Sequence, residues 1–147
     1  MSEQGITGMK LADIMTTKVA TINMDANLLA MDEIFQSNHF HHLVVLSDEG
    51  KVVGVISDRD FLKQLSPYLN TLSQNNRDLA TLQKKAHQIM SRQVVFASPQ
   101  TPVARAARML VERCISCLPV IENGGELVGI VTWKDILHHC VLKTAAC

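Results

Sequence analysis

The chain repeats itself, and no other feature limits so tightly what it can fold into. Slid along itself so that Leu43 falls on Leu118, it matches without a gap through residue 65 over residue 140. Leu43/Leu118, Val45/Val120, Gly54/Gly129 and Asp60/Asp135 are identical, and Val55/Ile130 and Ser57/Thr132 are conservative. In the same register Ile14, Met15 and Thr16 fall on Ile89, Met90 and Ser91, and Val19 falls on Val94. The copies are placed at residues 9–66 and 86–142, with a linker and connecting helix at 67–85. A unit this small buries too little apolar surface to stand comfortably alone, so the copies are expected to pack on each other about a pseudo-two-fold axis.

Each copy reads as β-α-β-β-α, which makes the fold class α+β. In the second copy residues 94–97 form a short apolar run expected to be a strand. Thr101 is a favourable N-cap with Pro102 in the first helical position, and Val103, Ala107 and Leu110 share one helical face. Two apolar runs, 118–121 and 127–131, joined through Asn123-Gly124-Gly125, read as a hairpin, and a closing helix starts from Thr132. The first copy gives a strand near 19–22, a helix over 27–37, a hairpin over 43–56 around Asp48-Glu49-Gly50 and a helix from Ser57. The linker is expected to turn helical from Asp78 and is locally basic at Arg77, Lys84 and Lys85.

The charge balance narrows the function. Among 147 residues, 14 basic side chains cancel 14 acidic ones, so no global field exists to hold nucleic acid or an anionic membrane. An anion must be caught locally. No apolar run reaches the length of a membrane span, and the start lacks the order of a signal peptide, so the expected location is the cytoplasm.

Two groups of residues invite a metal or redox reading. Cys114-Ile-Ser-Cys117 has CxxC spacing, but neither a second CxxC nor a histidine pair at zinc-finger spacing accompanies it. The cysteines are therefore read as small, mostly buried residues at a helix-to-strand junction. The cluster His39, His41 and His42, with His138 and His139 elsewhere, has no accompanying carboxylate pattern, and no metal is expected. Met24, Met31, Met90 and Met109 read as core, and Trp133 as an exposed or interface residue.

Ser57-Asp58-Arg59-Asp60 and Thr132-Trp133-Lys134-Asp135 share the form [ST]-x-x-D where a strand gives way to a helix. The plain interpretation is a capping box. Three features point beyond it. Gly54 and Gly129 interrupt strands, where glycine often marks close approach by a ligand or another backbone. Capping boxes favour the longer Glu or Gln, yet both copies use Asp. A helix start with Arg59 or Lys134 beside it suits a phosphate, while a short carboxylate can accept from both hydroxyls of a ribose.

With the paired motifs and Cys117-Leu118-Pro119-Val120 before the second hairpin, the chain resembles a tandem cystathionine-beta-synthase (CBS) domain pair, the Bateman module, of the stand-alone type. The resemblance runs from about Met9 to Leu142. It implies a regulatory module, not an enzyme, that binds adenosine-containing nucleotides of the AMP, ADP and ATP class in clefts between the repeats. It also implies a homodimer, a separate target protein and no obligatory cofactor. Carried over, one cleft combines Ser57, Arg59 and Asp60 with Met90, Val95 and Ser116. The other combines Thr132, Lys134 and Asp135 with Met15, Ala20, His41 and His42. With its two histidines, this second cleft is expected to prefer more phosphates and mildly acid pH. The chain departs from the pattern where Pro119 of the second hairpin is Val44 in the first. Three other functions stay open at this point: an oligomerisation module with empty clefts, a sensor of S-adenosylmethionine or a dinucleotide, and a nucleic-acid binder using the basic linker.

Overall fold

The computed structural model describes residues 8–38, 40–65 and 81–142. The elements run α1 (Leu11–Ile14), β1 (Thr21–Asn23), α2 (Leu28–Asn38), β2 (His42–Leu46), β3 (Val52–Ser57), α3 (Asp58–Gln64), α4 (Ala86–Ile89), α5 (Val103–Arg113), β4 (Cys117–Ile121), β5 (Leu127–Thr132) and α6 (Trp133–Leu137), continued by a π-helical turn, His138–Leu142. Most of the linker, including its expected helical start at Asp78, lies outside the described residues.

The chain divides into two compact units whose boundaries do not follow the repeats. A central unit spans Ala20–Val94, and a terminal unit joins Met1–Val19 to Val95–Cys147. Each hairpin thus sits with a lead-in segment from the other repeat. In the central unit, the segment 85–91 is tied by Ala86 N to Ala26 O at 2.8 Å, His87 N to Met24 O at 3.0 Å and a two-way bridge between Ser91 and Val55. The terminal unit makes the same bonds with residues 9–16. There Leu11 N donates to Thr101 O at 2.9 Å, Ala12 N to Pro99 O at 2.9 Å, and Thr16 exchanges bonds with Ile130.

The central sheet has three strands in the order β1-β2-β3, with β1 parallel and β3 antiparallel to β2. Its buried face carries Leu43, Val45 and Ile56, packed on Leu28 and Met31 of α2 and on Phe61 of α3. Burying each such side chain stabilises the unit by about 1.5–3 kcal/mol before conformational entropy is subtracted. Asn27 starts α2 by accepting from Ala30 N at 3.0 Å through its side chain. The terminal core repeats the plan with Leu118, Val120 and Val131 against Val103, Ala106 and Leu110 of α5 and Leu11 of α1.

The sheets differ where a strand was expected at 94–97. Among the described residues only β4 and β5 form the terminal sheet, and Ala97 makes a single parallel bridge to Val120. Two prolines account for this. In the central unit Val44 N donates to Ala20 O and Met24 N to Leu46 O, both at 2.9 Å. Their counterparts are Pro119 and Pro99, which carry no N–H, so both bonds are lost. What survives is Ala97 N to Pro119 O at 3.1 Å and Ile121 N to Ala97 O at 2.9 Å.

The start of α5 also departs from expectation. The helix begins at Val103 with Pro102 as its N-cap, and the Thr101 hydroxyl instead accepts from Ser98 N at 3.0 Å. That short polar loop competes for Thr101, as hydroxyl side chains near turns commonly do.

Candidate functional site

Both [ST]-x-x-D motifs form complete capping boxes, so Asp is long enough to close them. Ser57 Oγ accepts from Asp60 N at 3.1 Å, and Asp60 Oδ2 accepts from Ser57 N at 3.3 Å. In the terminal unit Thr132 Oγ1 accepts from Asp135 N at 3.2 Å, and Asp135 Oδ2 accepts from Thr132 N at 2.9 Å and from Thr132 Oγ1 at 3.1 Å. The carboxylates differ in their remaining oxygen. Asp135 Oδ1 takes a 3.5 Å bond from Thr16 Oγ1, whereas among the described residues Asp60 Oδ1 accepts nothing from Ser91, the counterpart of Thr16. Thr16 and Ser91 were not singled out from the sequence, although each follows a methionine in register with a hydroxyl in both copies.

The strand glycines are explained by the protein's own backbone. A Cβ on Gly54 would overlap Met90 Sδ and come within 2.9 Å of Ser91 O; one on Gly129 would meet Met15 Sδ at 2.8 Å and Thr16 O at 3.1 Å. Met90 and Met15 thereby lie against the strand that leads into the motif of their own unit.

The other expected residues fall differently between the units. Ser57, Arg59, Asp60 and Met90 belong to the central unit together with Ala20, His41 and His42. Thr132, Lys134, Asp135 and Met15 belong to the terminal unit together with Val95 and Ser116. The expected groupings, with Val95 and Ser116 on the Ser57 motif and the histidines on the Thr132 motif, therefore run across the two units. Within each unit the residue before the hairpin holds the motif by its carbonyl: Asp58 N donates to His41 O at 2.9 Å and Trp133 N to Ser116 O at 3.3 Å.

His41 also reaches its own motif with its ring, Nδ1 lying 2.9 Å from Asp58 Oδ2. Partial burial pushes the Asp58 carboxyl up, but the hydrogen bond and charge of His41, the Arg59 amide and the charge of His42 outweigh it. The net effect holds Asp58 below the usual carboxylate range. Arg59 and Lys134 are exposed and have no ion-pair partner among the described residues. Trp133, half exposed, starts α6.

The cysteine pair corrects the sequence reading. Cys114 is exposed, at φ 53° in the left-handed cap of α5, while Cys117 is buried at the head of β4. Burial pushes the Cys117 thiol up to about 12, which leaves almost no thiolate at neutral pH. Brief iodoacetamide treatment of the native chain is expected to label Cys114 well ahead of Cys117, as peptide mass mapping would show; equal labelling would mean that β4 opens readily. Among the described residues no group of three or more His, Cys, Asp or Glu is placed to hold a metal, and no helix is long and apolar enough to cross a membrane. His39 lies outside the described residues.

The sequence profile described as CBS domain matches residues 11–67 and 86–141. A CBS domain-containing protein of Dictyostelium discoideum is 33% identical over 129 residues, covering 84% of this chain and 86% of that protein. A homoserine O-acetyltransferase of Methanococcoides burtonii is 30% identical over 131 residues; the match takes in 89% of this chain but only 24% of the enzyme's length. The crystal structure of the CBS domain pair of protein MJ0100, in complex with 5'-methylthioadenosine and S-adenosyl-L-methionine, superposes with a TM-score of 0.74 at 26% identity, over 95% of this chain and 98% of that one.

Proposed function

Since this chain belongs to the CBS domain family, both of its repeats matching, we propose that it is a regulatory module that binds adenosine-containing nucleotides of the AMP, ADP and ATP class. The repeats, 9–66 and 86–142 with the connecting 67–85, act as one Bateman module. The observation that carries the reading is the doubled box: in each unit a hydroxyl and a carboxylate are fixed at a strand-to-helix switch beside an exposed cation. Asp60 and Asp135 take the ribose hydroxyls. Ser57 with Arg59, and Thr132 with Lys134, meet the phosphates.

Met90 and Met15 supply apolar surface next to the motifs, and Ala20, Val95, His41, His42 and Ser116 complete the two ligand sites. A nucleotide of this class is a cytoplasmic metabolite, which is where we place the module, as a homodimer acting on a separate target protein. The ligands of the MJ0100 domain pair support the adenosyl part of the reading. Arg59 and Lys134, exposed and without an ion-pair partner among the described residues, favour ligands that also carry phosphate.

A thermal-shift panel of AMP, ADP, ATP, 5'-methylthioadenosine and S-adenosylmethionine tests this. Phosphate-bearing ligands are expected to raise Tm, with a gain of about 2.7 kcal/mol at a hundredfold excess over Kd. Shifts from 5'-methylthioadenosine and S-adenosylmethionine alone would move the assignment to a sensor of that class. No shift from any ligand would leave an oligomerisation module.

A further inference from the structure

Beside the interrupted strand at 94–97 the terminal unit carries a groove of about 360 Å³, lined by residues 96–98, by α5 and its lead-in, and by the end of β4 with the turn that follows. Phe96, Ala97, Met109 and Ile121 supply its apolar lining. Its lining also carries opposite charges, Arg105 on α5 and Glu122 just past β4. They form no ion pair with each other, and Arg105 has no other partner among the described residues. The hydroxyls of Ser98 and Thr101 lie 3.2 Å apart, so one proton serves that contact and the second is available to a ligand.

The first repeat shows what the groove would be without these residues. There the strand pairs over three residues, and Asn23 Nδ2 donates across its end to Asp48 Oδ1 at 3.1 Å. Ser98 and Asn123 stand at those two positions, and no hydrogen bond joins them. Alanines, Ala26 and Ala30, stand where the second repeat has Thr101 and Arg105. Loss of the strand pairing, loss of the tie and gain of a cation thus coincide in one copy.

We propose that this groove binds a small zwitterion with an apolar side chain, the class of a free apolar amino acid. Arg105 takes the carboxylate, assisted by the Ser98 and Thr101 hydroxyls. Glu122 and the side-chain carbonyl of Asn123 take the ammonium. The side chain lies on Phe96, Met109 and Ile121. A simple anion is disfavoured by Glu122 and a simple cation by Arg105, and the volume lies within the usual range for small-ligand sites.

Amide chemical shifts of the full chain, recorded during titration with L-leucine, L-methionine and L-phenylalanine, test the proposal. At least one of the three is expected to bind and to move the amides of residues 96–98 and 121–123. Its analogues lacking the carboxylate or the ammonium should bind about tenfold or more weakly, as should the Arg105→Ala and Glu122→Gln proteins. Both substitutions are at exposed positions and leave the core intact. Ser98→Asn with Asn123→Asp, which rebuilds the tie of the first repeat, is expected to reduce binding as well. No response in the groove to any of the three amino acids at about 10 mM, or binding unchanged by Arg105→Ala, overturns the proposal. The adenosine panel reports on the motifs separately, so failure here leaves that function standing.

Discussion

Gly54→Ala is expected to destabilise the protein by about 1–3 kcal/mol, and Gly129→Ala by a smaller amount, because each adds a methyl group where another segment already lies. At Gly54 the new atom would overlap the thioether of Met90, which is 8% exposed, and stand 2.9 Å from Ser91 O. A side chain can move aside, but the Ser91 backbone is held by Val55 N to Ser91 O at 3.1 Å and Ser91 N to Val55 O at 2.9 Å. Relief therefore costs the bridge that fastens 85–91 to the hairpin. At Gly129 the nearest backbone atom, Thr16 O, is 3.1 Å away and the sulfur of Met15 is 2.8 Å away, so less movement suffices. Gly8, with nothing within 4 Å, is the neutral control. Urea unfolding of the three variants measures the order. A Gly54→Ala protein as stable as the Gly8→Ala control would show that the methionine segment is not packed on the strand.

Replacing both motif carboxylates is expected to have two separable effects. Asp60→Ala and Asp135→Ala each open a capping box, at a cost of about 1 kcal/mol. Asp135 should cost more, because it also accepts from Thr132 Oγ1 and Thr16 Oγ1 while among the described residues Asp60 closes only its own box. The double variant should also lose the whole of any stabilisation by AMP, ADP or ATP, about 2.7 kcal/mol at a hundredfold excess over Kd. Asp→Asn at both positions separates the two roles, since the amide oxygen can still accept from the cap N–H while the charge is gone. Weakened capping with ligand shifts intact would reduce the carboxylates to structural caps. Calorimetric unfolding with and without ligand reads both quantities from the same samples.

The repeat, the β-α-β-β-α run of the first copy, both hairpins and both [ST]-x-x-D boxes are legible in the chain alone. These rest on interactions between residues close in the chain: alternating apolar positions in strands, turn residues, and hydroxyl and carboxylate three residues apart. The apolar cores followed for the same reason, Leu43, Val45 and Ile56 matching Leu118, Val120 and Val131 in register. Contacts between residues far apart in the chain fixed the rest. They assigned 9–16 to the second hairpin and 85–91 to the first, so Gly54 and Gly129 are required by methionine and backbone contacts from another segment. They set His41 on Asp58 of its own motif. The loss of the strand at 94–97 lies between these cases. Pro99 and Pro119 are plain in the sequence, but Pro119 removes a strand bond only because its missing N–H would have faced Val95, and Pro99 because it stands opposite Ile121. Local pattern cannot report that pairing, because it is fixed only when residues more than twenty positions apart pack into one sheet.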